Sequence, residues 1–198
     1  MKQVGLVTVT LFVIGLAFLA LVPPETSAFY YDAPRDFLWY LNLITHMLSH
    51  GNMRHLLGNF IFGFPYMMYA EYRTRSSRKF LALYALCGFG ALSLQWITKD
   101  YGVLPSLGVI GSSGAIFGIV GYALADAPAV RWLRCAAFSL LAFHLYTQAS
   151  LAWGVATGAT LGGVAYAAHL GGILTGIFAC VLPKLPYRSI ARIFGRKV

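Results

Sequence analysis

Hydrophobic residues in this chain come in long blocks, with only short polar stretches between them. Six blocks can be drawn, at roughly 4–22, 53–71, 79–98, 113–127, 131–148 and 159–182. Each is near the roughly 20 residues a helix needs to cross a bilayer. The pattern predicts an all-α, polytopic membrane protein with six transmembrane helices forming one domain over residues 1–198. A long connection at 23–52 and a basic tail at 183–198 flank the blocks. The first block follows Lys2 and could be taken for a signal peptide. Pro23-Pro24-Glu25 succeeds it without a small-x-small pattern directly after the run, so a retained helix is expected. Neither an added soluble domain nor a seventh span is expected within these residues.

Charge orders these blocks. With the N-terminus inside, the inner side receives Lys2, then Arg73, Arg75, Arg78 and Lys79, then Arg131 and Arg134. It also receives Lys184, Arg188, Arg192, Arg196 and Lys197, leaving only Arg35, Arg54 and Lys99 outside. Alternate loops are basic, as the positive-inside rule requires, so both termini are expected on the cytoplasmic side. Composition agrees: 59% of residues are hydrophobic and 11% charged, against about 25% charged in soluble domains. Mean hydropathy is +0.69. The net charge of +9 does not point to nucleic acid, because no basic stripe interleaves with stacking aromatics. The basic tail is a topology signal that can also touch anionic lipid. Cys87, Cys135 and Cys180 lie within apolar blocks at unrelated spacings, which fits neither a disulfide framework nor a zinc site. The connection at 23–52 carries Phe29, Tyr30, Tyr31, Phe37, Trp39 and Tyr40, a composition suited to the headgroup region.

The fourth block places Gly111-Ser112-Ser113-Gly114-Ala115-Ile116-Phe117-Gly118 at its mouth. From Ser113 to Asp126 it gives about 20 Å of helix at about 1.5 Å per residue, against a hydrocarbon core about 30 Å thick. Ser113 is therefore expected below the outer surface, where irregular backbone must be enclosed by protein or line a water-filled cavity. The sixth block holds one deep ionisable residue, His169, about 15 Å down when counted from Ala159 by helical rise. Gly172 and Gly176 share its face, and Gly114, Gly118 and Gly121 form a matching face on the fourth block. Close packing of those small faces predicts that the Ser113 hydroxyl meets the His169 imidazole.

A serine hydroxyl is a weak nucleophile until a base takes its proton, and His169 is placed to be that base. Attack on a peptide carbonyl builds charge on oxygen that needs fixed donors. His55 and Asn59, four apart on one helix face, and the Ser113 backbone N–H can supply them. No carboxylate is available to orient His169, so a Ser-His dyad is the expectation. His46 and His50 have metal-ligand spacing, but no Cys, Asp or Glu joins them in adjacent turns. Loop packing for His46 and local hydrogen bonding for His50 are expected, with no metal and no cofactor. Taken alone, Gly-x-Ser-Gly is also an ordinary helix-packing pattern.

Together these residues make the chain resemble the rhomboid family of intramembrane serine proteases, of the six-helix, prokaryotic type. Gly111-Ser112-Ser113-Gly114 matches the family's G-x-S-G, and Ala168-His169 with Gly172 and Gly176 matches A-H-x-x-G-x-x-x-G. His55-Leu56-Leu57-Gly58-Asn59 matches H-x-x-x-N, and His50 stands where another family histidine precedes it. The resemblance implies that Ser113 is the nucleophile and His169 the base, with His55 and Asn59 on the oxyanion. It further implies that the substrates are transmembrane proteins cut near the outer end of a helix. Lateral entry between the second and fifth spans, a cap at 149–158 including Trp153 and Gly154, and a bacterial or archaeal plasma membrane are implied with it. Trp39-Tyr40 stands where the family often has Trp-Arg. Two other functions remain open: a catalytically silent rhomboid-like binder of membrane clients, and a small transporter with His169 in an ion path. The transporter's expected inverted repeat is not visible.

Overall fold

A computed structural model describes residues 5–30, 34–100, 108–126, 131–158 and 164–184. In chain order they form α1 (Leu6–Leu21), a single turn α2 (Pro24–Ser27), α3 (Phe37–Thr45), α4 (Met53–Thr74) and α5 (Ser77–Asp100). These are followed by α6 (Ser113–Ala125), α7 (Arg131–Ala156), α8 (Tyr166–Val181) and a 3-10 turn at Leu182–Lys184. Two helical stretches, Ser77–Thr98 and Leu133–Ala156, are long and apolar enough to cross a membrane, while α1, α6 and α8 are shorter apolar helices.

The short α6 is the hub. It packs against α4, α5, α7 and α8, while α1 lies on α4. Its buried positions, Gly114, Ala115, Ile116, Gly118, Ile119, Val120, Gly121 and Leu124, run around the helix rather than along one stripe, as expected of a helix enclosed by others. On one side Ile116 and Ile119 join Met67, Phe80, Leu83, Tyr84 and Cys87 from α4 and α5. On the other, Val120 and Leu124 meet Leu141 of α7 and Ile173 of α8. Large apolar side chains stand exposed on the outward faces, among them Leu21, Ile61, Tyr146, Trp153 and Phe178. An apolar exterior of that extent suits lipid rather than water.

Local chemistry sets the ends of the helices. Asp36 and Asn52 cap α3 and α4 by accepting from the N–H groups of Trp39 and His55, at 2.9 Å in each case. The first turn of α1 has no local side-chain cap. Glu71 of α4 reaches across instead, accepting from Val7 N (3.1 Å), Thr8 N (3.1 Å) and the Thr8 hydroxyl (2.8 Å). A carboxylate there satisfies orphan donors and faces the positive end of the helix dipole. At the C-terminal ends of α4 and α6, Arg73 pairs with Asp126, and the Tyr69 hydroxyl donates to the same carboxylate at 3.1 Å.

Three expectations are corrected. Hydropathy ends the fifth block at 148, but α7 continues to Ala156 because nothing in Gln148-Ala149-Ser150 breaks a helix. The break comes at Gly158, whose φ is 98°, so residues 149–156 of the expected cap are helix. Hydropathy starts the sixth block at 159, whereas α8 begins at Tyr166 and residues 164–165 are not helical. Residues 159–163 lie outside the described residues. His169 therefore sits in the first turn of its helix, not ten residues along it. Finally, Phe29 and Trp39 are not headgroup-facing rings: they are buried with Leu92 and Val109. Tyr30, Phe37 and Tyr40 are exposed, and Tyr31 is outside the described residues. Phe29 is fixed by a two-bond antiparallel bridge to Val109 (2.9 and 2.8 Å), which ties the long connection to the segment entering α6. Arg35 lies over the Trp39 ring, 5.8 Å from its centre.

Candidate active site

Ser113 is the first residue of α6, and the backbone just before it is set by Gly111. Gly111 has φ 109°, a conformation that side chains disfavour. A Cβ there would also stand 2.7 Å from His55 Cε1 and 2.8 Å from His55 Nε2. Its N–H donates to the His46 carbonyl at 2.8 Å. The chain therefore enters α6 held on both sides, with the Ser113 hydroxyl turned toward α8.

The Ser113 hydroxyl lies 2.9 Å from His169 Nε2. The other ring nitrogen, Nδ1, is 3.0 Å from the side-chain oxygen of Gln148 on α7. Phe117, one turn after Ser113, stacks on the imidazole with centroids 4.3 Å apart and planes 20° apart, and Tyr166 meets it edge-on at 6.1 Å.

Glycines make that approach possible. α6 and α8 run in parallel, with Gly114 beside Ala168, Gly118 beside Gly172 and Gly176, and Gly121 beside Ile173. A Cβ on Gly118 would stand 3.0 Å from the Gly172 carbonyl oxygen, and one on Gly176 would stand 2.9 Å from the Tyr122 nitrogen. Main chain touches main chain along the seam. Gly171 does the same on the α5 side, where a Cβ would lie 2.6 Å from the Gly90 carbonyl oxygen.

His55 and Asn59 project from the first two turns of α4 into the space beside Gly111. Together with His46, Gly111, Ser113, Phe117 and His169 they line one cavity of about 450 Å³. Asn59 Nδ2 is buried and has no hydrogen-bond partner among the described residues. A donor left unpaired in a buried place carries a cost, so this one is notable. Cβ geometry at Gly111 puts it and His55 Nε2 on the same side of the chain, 3.5 and 2.8 Å from that point.

Ser112 goes elsewhere. Its hydroxyl bonds to His50 Nε2 at 3.1 Å, and His50 Nδ1 bonds in turn to the Leu48 carbonyl at 3.2 Å. Ser112 lines a separate small cavity with His50 and Tyr84, not the one holding Ser113. His46 is buried in the loop after α3, where its Nδ1 donates to the Asn42 carbonyl at 2.9 Å. Burial pushes its pKa down to about 4, against the raising effect of that carbonyl. Among the described residues no group of three metal-binding side chains gathers.

Ser113, His169, His55, Asn59 and the glycines are thus brought to one place, and His50 adjoins it through Ser112. Several contributors were missed by sequence reasoning. Gln148 and Phe117 both touch His169. Gln95 of α5, buried, accepts from the Ala168 N–H at 3.2 Å and so satisfies a free donor in the first turn of α8. The available signal was the cost of burying an uncharged amide within an apolar helix, present at both Gln95 and Gln148.

A family model for the rhomboid domain matches residues 38–183, from α3 through α8. The chain belongs to the rhomboid family. Every residue of the candidate site falls within the match. No curated protein matches the chain. Rhomboids are integral membrane proteins of bundled helices, and the family consists mostly of serine intramembrane proteases. The all-helical arrangement and its apolar exterior agree with that membership.

Proposed function

We propose that this rhomboid is an active intramembrane serine protease, hydrolysing peptide bonds in or near transmembrane segments of other membrane proteins. The observation that carries the reading is the 2.9 Å contact of the Ser113 hydroxyl with His169 Nε2, at a cavity large enough to admit a peptide bond and water. In the first step Ser113 Oγ attacks the carbonyl carbon while its proton passes to His169 Nε2. The oxyanion is met by Asn59 Nδ2, His55 and the Ser113 N–H, which at the first helical position has no intrahelical acceptor. The α6 dipole has its positive end at the same point. The C–N bond then breaks, with the amine taking its proton from His169. Water next attacks the acyl-serine, gives its proton to His169, and leaves the acid and a regenerated hydroxyl.

The membrane arrangement that fits this chemistry has six spans, α1 and α4 to α8, both termini cytoplasmic and the cavity opening outward. Support comes from the alternation of basic loops and from the thirteen residues of α6. Thirteen residues make about 20 Å of helix, short of the roughly 30 Å core. A substrate helix enters between α4 and α7. Within the apolar stretch Leu133–Ala156 of α7 only Leu141 and Gln148 are buried, so α7 is the wall with least to lose by moving. A prokaryotic plasma membrane is the proposed location.

Purified wild type, Ser113→Ala and His169→Ala proteins, reconstituted with a transmembrane reporter, test the reading. Cleavage by wild type alone is expected. Full cleavage by the Ser113→Ala protein would overturn it, as would a folded wild type that neither cleaves nor reacts with a fluorophosphonate.

A further inference from the structure

Gln148 sits past the midpoint of α7, a helix whose other described residues are mostly exposed or half-buried. Among the described residues of that helix only it and Leu141 are buried. They are seven apart and so share the face that meets α6 and α8. A hydrophobe at 148 would be cheaper to bury than a primary amide, unless the amide is bonded. It is bonded, and to one atom in particular: its oxygen accepts from Nδ1 of His169 at 3.0 Å.

We infer that Gln148 is the positioning residue for His169, setting both its tautomer and its ring orientation; this rests on the protease reading above. An imidazole with an acceptor at Nδ1 keeps its proton there, which leaves Nε2 bare and facing the Ser113 hydroxyl. The opposite tautomer would present an N–H to Ser113 and could not take its proton. Phe117 holds the plane of the ring by stacking, but a stacked ring can still turn within its plane. The bond to Gln148 removes that freedom. Because Gln148 rides on α7, while Ser113 and His169 ride on α6 and α8, the base is oriented only while α7 is docked. The other titratable groups nearby are His55 on α4, Tyr166 on α8 and His144 on α7. Of these, His144 lies against Phe117, 6.0 Å between ring centres, and none of the three bonds to His169.

Ring nitrogen-15 shifts of His169, assigned by comparison with His169→Ala, report its tautomer in folded protein whether or not the protein cleaves. Wild type is expected to carry its proton on Nδ1, and Gln148→Met to populate both tautomers. In reporter cleavage, Gln148→Met is expected to lose at least about tenfold in kcat, a part of the roughly 10²- to 10⁴-fold that general-base catalysis supplies, with KM little changed. Gln148→Glu, which keeps the acceptor and the length, is expected to restore kcat to near wild type. A wild-type protein with its proton on Nε2 would overturn the assignment. So would a Gln148→Met protein with wild-type tautomer and kcat, or a folded Gln148→Glu protein as slow as Gln148→Met. A wild type inert toward reporter and fluorophosphonate would sink the protease reading while leaving the tautomer result to decide the role of Gln148.

Discussion

Ser112 and Ser113 are neighbours in the chain and turn their hydroxyls to different histidines, His50 at 3.1 Å and His169 at 2.9 Å. Ser112 already has helical backbone angles (φ −71°, ψ −7°), so its side chain and that of Ser113 diverge by about 100°, one residue's share of a helical turn. The two serines are therefore separable by mutation. Ser113→Ala is expected to abolish cleavage and fluorophosphonate labelling. Ser112→Ala is expected to retain both and to lower thermal stability in detergent by about 1 kcal/mol, the usual worth of one hydrogen bond. Labelling that survives Ser113→Ala but not Ser112→Ala would reverse the assignment.

Asn59 Nδ2 has no hydrogen-bond partner among the described residues, so removing it breaks no hydrogen bond there. Asn59→Ala is expected to leave the unfolding temperature within error of wild type. Its kcat should fall by about 10²- to 10³-fold, the usual loss for one oxyanion donor. A fall in stability with kcat per folded molecule unchanged would make it a packing residue instead.

The glycines divide into those that touch something and those that do not. A Cβ on Gly172 meets the main chain of α6 at Gly114 and Gly118, whereas one on Gly58 meets nothing within 4 Å. Gly172→Ala is expected to destabilise by about 1–3 kcal/mol through overpacking and to reduce cleavage sharply by parting Ser113 from His169. Gly58→Ala, in the second turn of α4, is expected to stabilise by up to about 1 kcal/mol through helix propensity. Thermal unfolding and reporter cleavage read both. Equal effects of the two changes would deny the seam its role.

Glu71 caps α1 from a distance of more than sixty residues, with three donors converging on one carboxylate. Glu71→Ala strands those donors and is expected to destabilise by about 1–3 kcal/mol, as for hydrogen bonds to a charged group. Cleavage per folded molecule should stay close to wild type, since Glu71 does not line the cavity. Proteolytic release of α1 in the variant would report the same loss locally.

Much of this was legible in the chain because charge and imidazole are costly in apolar surroundings. His169 and the Ser113 glycine run announced themselves against a hydrophobic background, and the matching small faces predicted which helices must touch. Gln95 and Gln148 do not stand out in the sequence because a neutral amide disturbs hydropathy less than a charge does. Yet one satisfies the start of α8 and the other grips His169. Hydropathy blocks also blur helix ends. The expected sixth block runs through Val164 and Ala165, which are apolar and yet not helical, because hydropathy does not report where the backbone turns into α8. Phe29 and Trp39 were assigned to the interface by composition, which cannot report that the bridge to Val109 draws Phe29 inward.

Where α6 and α8 meet through Gly118, Gly172 and Gly176, there are no rotamers between them. The spacing of the two helices is set by the van der Waals radii of carbonyl oxygen and amide nitrogen, quantities with almost no give. Thermal motion in the surrounding side chains, or a change in lipid thickness, can move the pair as a unit but has little purchase on the gap itself. The alignment of Ser113 with His169 is in this sense buffered against its solvent, and tolerance to change is left to the helices outside the seam.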